Sequence, residues 1–236
     1  MSDEDRQLPA GAKSAEVEAF LRDLQRAPAV RPAGGRGRLI FALDATASRQ
    51  PTWDRACRIQ GEMFEATAAL GGLAVKLVYY RGFNECRASR WTTDAAELHR
   101  IMRRVSCVGG ETQIERVLSY ALNESARERV GALVFVGDAM EENIDRLCQL
   151  AGELGLKGVP VFVFHEGDDP VAGRAFREIA RLSHGACLRF DAASAGLLRD
   201  LLGAVAVYAA GGRPALADYG ARKGGAVLRL TAQLRG

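Results

Sequence analysis

Residues 39–48 read Leu39-Ile40-Phe41-Ala42-Leu43-Asp44-Ala45-Thr46-Ala47-Ser48, an unbroken apolar run followed by one acid and two hydroxyls. Such a run is typical of a strand that is buried on both faces of a parallel sheet. The three polar side chains stand at alternate positions, which point the same way in an extended chain. Their oxygens therefore converge where the strand ends, and Mg²⁺ prefers oxygen ligands in an octahedral arrangement.

From this stretch onward, apolar runs alternate with segments that have helical spacing. Strands are predicted at 39–43, 73–80, 86–91, 132–136, 159–164 and 186–190, with a hairpin turn at 81–85. Helices are predicted at 13–26, from 51, at 94–105, from about 112, and at 144–156, 170–182 and 194–209, the last ended by Gly211-Gly212. This alternation predicts an α/β fold, with a mostly parallel central sheet and helices on both faces.

Composition and local sequence features divide the chain into three parts. We predict an N-terminal tail, short helix and linker over 1–36, one α/β domain over 37–211, and a basic C-terminal extension over 212–236. The first residues lack the pattern of a signal peptide, and no apolar stretch is long enough to span a bilayer. The five cysteines are widely spaced and include no CxxC, which favours a reducing compartment. We therefore expect a soluble, cytoplasmic protein.

Two further polar segments follow the predicted strand and loop ends. Asp138 comes directly after the run 132–137, and Thr112 follows Gly109-Gly110-Glu111. Ligands of open α/β sheets bind at the carboxyl ends of strands, so these residues are candidates for the same site as Asp44. Structural roles stay open at this point. Thr112 and Glu115 also form a capping box, and Asp138 or Ser48 could cap the helix that follows each of them.

With these residues in place, the chain resembles the von Willebrand factor A (vWA) family, in the form found inside bacteria. That family has a metal-ion-dependent adhesion site (MIDAS), made of Asp-x-Ser/Thr-x-Ser, a distant Thr after glycines, and a distant Asp. The corresponding residues are Asp44, Thr46, Ser48, Thr112 and Asp138, with separations of 68 residues from 44 to 112 and 26 residues from 112 to 138. The resemblance covers residues 37–210 and implies a three-layer, Rossmann-like vWA fold.

The resemblance also implies a metal and a role for each residue. Mg²⁺ or Mn²⁺ would be held by the hydroxyls of Ser48 and Thr46 and by Thr112, either directly or through water. Asp44 and Asp138 would act partly through water. The chain departs from the family pattern in three places. Thr46 stands where Ser is most common, Glu111 stands where a third glycine is common, and Ala139 rather than glycine follows Asp138.

The function that this resemblance implies is a non-catalytic, Mg²⁺-dependent protein-binding module that acts as a scaffold or adaptor. A partner such as an AAA+ ATPase or chaperone component would complete the metal site with an Asp or Glu. One alternative is a Mg²⁺-dependent phosphohydrolase of the haloacid dehalogenase type that uses Asp44, although Thr46 replaces the second acid of such enzymes. Another is binding of nucleic acid or an acidic partner by the tail, which has five basic residues and one acid. We expect no enzyme activity, no membrane partner and no nucleic-acid partner.

Overall fold

The computed structural model describes residues 10–27, 37–50, 73–190 and 195–223. Its strands are β1 (Gly37–Asp44), β2 (Leu73–Arg81), β3 (Glu85–Ala88), β4 (Ala132–Gly137), β5 (Val161–Glu166) and β6 (Ala186–Phe190). Its helices are α1 (Ala10–Arg26), α2 (Ala95–Met102), α3 (Ile114–Arg127), α4 (Ile144–Leu156), α5 (Pro170–Leu182) and α6 (Ala195–Lys223). A short 3-10 helix, Ala47–Arg49, follows β1.

The six strands form one sheet in the order β3-β2-β1-β4-β5-β6. Only β3 runs antiparallel, because it returns from β2 through the predicted hairpin, and the other neighbours pair in parallel. The chain moves outward from β1 to β2 on one side and then crosses to β4 on the other. The order therefore reverses between β1 and β4, and the carboxyl ends of these two strands border the crevice where α/β sheets bind ligands.

A hydrophobic core lies on each face of the sheet, which confirms the three-layer α/β prediction. On one face, α1, α2 and α6 pack on alternate residues of the strands, and Phe20 lies 5.4 Å from Phe164 between ring centroids. On the other face, α3, α4 and α5 pack on the intervening residues, and the rings of Phe135 and Phe176 meet edge to face at 5.6 Å. The continuous apolar runs are thus buried on both sides, as central strands of a parallel sheet require.

Several element ends differ from the prediction for local chemical reasons. The α2 helix begins at Ala95 because Asp94 caps it, its side chain accepting from the amide of Ala96. The β5 strand begins at Val161 because Pro160 has no amide proton to donate to a ladder. The last helix was expected to end at Gly211-Gly212. Gly212 does break the helical geometry, with φ 69°, but helical structure resumes and continues to Lys223.

Some predictions lie outside the described residues, namely the helix from 51, most of the N-terminal tail and linker, and the tail beyond 223. No helix within 10–27, 37–50, 73–190 or 195–223 is long and apolar enough to cross a membrane. Four of the five cysteines are described, and Cys86, Cys107, Cys148 and Cys187 are free thiols.

Candidate metal centre

Asp44 is the last residue of β1 and is fully buried. Its Oδ1 accepts a 2.7 Å hydrogen bond from the backbone amide of Thr46, and its Oδ2 accepts a 2.9 Å bond from the Tyr80 hydroxyl. Tyr80 belongs to the neighbouring strand β2 and pairs with Asp44 in the sheet register. Both carboxylate oxygens are thus fixed in direction while each keeps a lone pair for a further contact.

The two hydroxyls that follow Asp44 lie together, as their alternate positions predict. The Thr46 Oγ1 and Ser48 Oγ atoms are 3.0 Å apart. Thr46 is buried and Ser48 is exposed, so the pair reaches from the sheet edge to the surface. The chain turns into the short 3-10 helix at this point, which orients the hydroxyls away from the strand.

The loop that leads to Thr112 is fastened to the ends of β1 and β2. The amide of Val108 donates to the Ala45 carbonyl at 3.1 Å, and the side-chain amide of Gln113 donates to the carbonyls of Arg81 and Gly82. Gly110 lies so close to the Gly82 backbone that a Cβ at position 110 would stand 2.1 Å from the Gly82 carbonyl oxygen. The glycine is therefore required for this loop to lie against the site.

Thr112 is held by the loop after β4 rather than by its own helix. Its Oγ1 accepts from the amide of Glu141 at 3.1 Å, and its amide donates to Glu141 Oε2 at 3.1 Å. The amides of Ile114 and Glu115, at the start of α3, donate instead to the Glu142 carboxylate at 2.6 and 2.8 Å. The capping-box reading of Thr112 and Glu115 is therefore wrong, because a carboxylate from another loop occupies the helix end.

Asp138 follows the last residue of β4 and is half-buried. Its Oδ1 is buried and has no hydrogen-bond partner among the described residues. The reading of Asp138 as a helix cap is also wrong, since Asn143 caps α4 by accepting from the amide of Arg146 at 3.1 Å. The strands β1 and β4 are parallel neighbours in which Leu43 pairs with Val136, and the charge of Asp138 acts on Asp44. The strand ends thus bring the two acids to one place.

Burial dominates the electrostatics of Asp44. Burial raises the pKa of Asp44, the hydrogen bonds from Thr46 and Tyr80 oppose this rise, and the charge of Asp138 adds to it. Burial, followed by the charge of Asp44, raises the pKa of Tyr80 well above its ordinary value. The phenol consequently stays a hydrogen-bond donor to Asp44 over the whole physiological pH range.

Sequence reasoning missed the buried arginine next to this site. Arg49 directly follows Ser48, is 2% exposed, and forms an ion pair with Glu166 at the end of β5. Burial lowers the pKa of Arg49, whereas the charges of Asp138 and Asp44 raise it. A charged residue on a polar 3-10 turn is usually solvated, so the sequence carried no signal of this burial.

The roles of Glu141 and Glu142 were also missed. The sequence analysis assigned neither of them to the site, because acids before α4 are ordinary at a helix start. In the structure both side chains reach back to residues 112–115. The only available signal was their position three and four residues after Asp138, in the loop that borders the crevice.

The donor atoms of the predicted site residues suit a hard divalent cation. In the part of the chain that the structure describes, no group of three or more His, Cys, Asp or Glu side chains is placed to hold a metal ion. The predicted set is of another kind, with two carboxylates and three hydroxyls. Oxygen donors of low total charge suit Mg²⁺ or Mn²⁺ better than soft-metal ions. The unpaired Oδ1 of Asp138 is the atom that most needs a cation or a water bound to one.

Comparison of the sequence with protein-family models gives no match, and neither does comparison with curated protein sequences. Similar solved structures exist, however. Proximal thread matrix protein 1 from the mussel byssus aligns with a TM-score of 0.60 and 14% identity over 73% of this chain and 46% of that one. This chain thus spans about half the length of the mussel protein, which has also been solved with a zinc-occupied MIDAS motif.

Two smaller structures match over most of their own length. The SpRpn10 VWA domain aligns with a TM-score of 0.53 and 13% identity over 66% of this chain and 88% of that one. The vWF domain of Mfa5, a type V pilus tip protein of Porphyromonas gingivalis, aligns with a TM-score of 0.57 and 12% identity. That alignment covers 73% of this chain and 96% of the Mfa5 domain.

Proposed function

We propose that this chain, which has the von Willebrand factor A fold, is a non-catalytic protein-binding module that depends on a divalent metal ion. The metal is Mg²⁺ or Mn²⁺, and an Asp or Glu side chain of the partner protein completes its coordination. The metal site lies at the carboxyl ends of β1 and β4, and its role is binding without a chemical reaction.

The observation that carries the proposal is the Oδ1 of Asp138, a buried atom without a hydrogen-bond partner among the described residues, on an acid whose charge acts on the fully buried Asp44. Burial is the main cause of the raised pKa of Asp44, and repulsion between its carboxylate and that of Asp138 adds to the rise. A cation between the loops would relieve this repulsion and supply the missing partner of Asp138. Water alone would satisfy the hydrogen bond but would add no positive charge to that of Arg49, which balances the two carboxylates only in part.

Each residue would have a distinct task when the metal is bound. Ser48 and Thr46 offer neighbouring hydroxyl oxygens, and Thr112 offers a third from the loop across the crevice. Asp44 and Asp138 supply negative charge and orient the hydroxyls and metal-bound water. A bound Mg²⁺ or Mn²⁺ would supply an electrophilic position for a carboxylate of the partner, because so few of its ligands are charged.

The test is a titration of the purified protein with Mn²⁺. Binding is measured by calorimetry and by the electron paramagnetic resonance signal of free Mn²⁺. Asp44→Asn is preferable to Asp44→Ala, because alanine would leave the Tyr80 hydroxyl and the Thr46 amide without an acceptor, at about 1–3 kcal/mol each. We expect Asp44→Asn to weaken Mn²⁺ binding by about 10- to 100-fold, as outer carboxylates of metal sites do.

The matched control is Asp94→Asn, which changes a helix-capping aspartate at α2 in the same way. It should leave Mn²⁺ binding unchanged. Undiminished binding in folded Asp44→Asn would refute the assigned site. A partner captured in Mg²⁺, but not with a chelator or with Asp44→Asn, would then be identified by mass spectrometry, and its acidic residues would be neutralised one at a time.

The enzyme alternative and the cellular compartment stay predictions. Both oxygens of Asp44 already accept hydrogen bonds, an arrangement that orients a carboxylate but does not free it for nucleophilic attack. Turnover of a phosphoester in Mg²⁺ that Asp44→Asn abolishes would favour the phosphohydrolase instead. The structural neighbours include a pilus tip protein, so the cytoplasmic location rests on the sequence alone.

A further inference from the structure

Arg49 is a cation buried beside the proposed metal position. It is 2% exposed and is the residue next to Ser48, one of the proposed metal ligands. Removing an arginine from water costs several kcal/mol unless negative charges compensate it. The negative charges near Arg49 therefore show what this buried cation does at the site.

Three acids provide that compensation, and two of them belong to the proposed metal site. Glu166 forms a direct ion pair with Arg49 from the end of β5. The charges of Asp138 and Asp44 act on the same guanidinium and raise its pKa against the effect of burial. The two site acids are therefore already partly balanced by a cation that belongs to the chain itself.

A second cation would be attracted by the same carboxylates. Charges in a buried site interact more strongly than charges at the surface, because water screens them less. A divalent ion between Asp44 and Asp138 would gain their attraction but would also be repelled by Arg49. Glu166 reduces that repulsion, because its carboxylate pairs with the guanidinium from the end of β5, a strand that β4 separates from β1.

We propose that Arg49 is a built-in counter-cation that weakens divalent-metal binding at this centre and couples it to the arrival of a partner's carboxylate. This inference rests on the proposed function. In the metal-free protein Arg49 balances Asp44 and Asp138, and Glu166 holds it in place. A carboxylate that a partner brings to the metal adds the negative charge that offsets Arg49. Metal and partner therefore each bind weakly alone and more tightly together, as reciprocal coupling requires.

The experiment compares Mn²⁺ affinity in wild type, Arg49→Met and Arg49→Lys. Methionine keeps an unbranched chain without charge, whereas lysine keeps the charge. We expect Arg49→Met to bind Mn²⁺ about tenfold more tightly or better, a change of about 1.4 kcal/mol, and Arg49→Lys to remain near wild type. Glu166→Gln should weaken binding, because it leaves the full charge of Arg49 facing the metal.

The matched control is Arg181→Met, which also removes an arginine paired with a glutamate, at the exposed Arg181–Glu178 pair of α5. It should not change Mn²⁺ affinity. Acetate, as a probe for a partner carboxylate, should raise the Mn²⁺ affinity of wild type more than that of Arg49→Met. Equal or weaker Mn²⁺ binding by folded Arg49→Met, with normal binding by wild type, would overturn the inference and leave the metal site standing.

Two further outcomes are decisive. If Arg49→Met folds only when Mn²⁺ is present, the metal has replaced the missing charge and the inference is supported. If Mn²⁺ does not restore its folding, Arg49 is required for structure alone and the inference fails. If neither wild type nor Arg49→Met binds Mn²⁺ at millimolar concentration, the proposed function fails, and the inference fails with it.

Discussion

The carboxylate of Glu142 gives the sharpest test of how the site is built. It lies in the loop after β4 but caps the N-terminus of α3. Its two oxygens accept from the amides of Ile114 and Glu115 at 2.6 and 2.8 Å. We expect Glu142→Ala to lower the free energy of unfolding by about 2 kcal/mol. Loss of a side-chain cap costs about 0.5–2 kcal/mol, and here two amides and a favourable charge at the helix end are lost together.

The assay is urea unfolding monitored by circular dichroism. An unchanged slope of the unfolding free energy against urea concentration shows that only stability has changed. For a chain of this length, about 2 kcal/mol corresponds to a fall of about 4–8 °C in the melting temperature. Glu142→Gln, which keeps an acceptor but not the charge, should lose about half as much. Glu111→Ala, at an exposed glutamate near the same loop, should stay within about 0.5 kcal/mol of wild type.

A Glu142→Ala protein as stable as Glu111→Ala would refute this reasoning. It would mean that water replaces the carboxylate at no cost and that the loop after β4 does not hold α3. The orientation of Thr112 would then depend on Glu141 alone.

Two other predictions concern a glycine and a cysteine. Gly110→Ala should destabilise the protein by about 1–3 kcal/mol and impair Mn²⁺ binding, because the new Cβ would stand 2.1 Å from the Gly82 carbonyl oxygen. The control is Gly109→Ala, whose added Cβ would have nothing within 4 Å. Equal effects of the two substitutions would contradict the steric argument. Burial raises the pKa of Cys187 from 9.0 to about 12, so iodoacetamide at pH 8 should alkylate it far more slowly in the folded protein than in urea. The stability linked to this thiol is complete below pH 9.0 and lost as pH rises towards 12, and Cys187→Ala should remove that loss.

The sheet was predictable because its signals are local and strong. Unbroken apolar runs such as 39–43 and 132–136 have one stable position, the interior of a parallel sheet, and the alternation with helices fixes the layers. The start of α5 was predicted as well, because Asp169 caps the helix and Pro170 suits its first turn. At Gly212 the break was visible in the sequence, but the helical segment beyond it was not.

The site was predictable only in part, because its construction depends on contacts between loops. Asp44, Thr46 and Ser48 lie within five residues, and their approach follows from the strand that precedes them. The roles of Glu141, Glu142 and Arg49 depend on which loops meet across the crevice, and no spacing along the chain encodes that. The capping box at the start of α3 was misread for the same reason. The carboxylate of Glu142 caps that helix, although it is 28 and 27 residues away from the two amides that it accepts from.

The close approach of α6 to Gly37 has a consequence for how the domain can be used. A Cβ at Gly37 would stand 2.3 Å from the Ala209 carbonyl oxygen, so only glycine lets this helix lie against the amino end of β1. Asp44 stands at the other end of the same strand, about 23 Å away at 3.3 Å per residue. One rigid strand therefore separates the two poles of the molecule. A protein that binds at the proposed metal site would therefore contact the end of β1 opposite to the one that α6 covers.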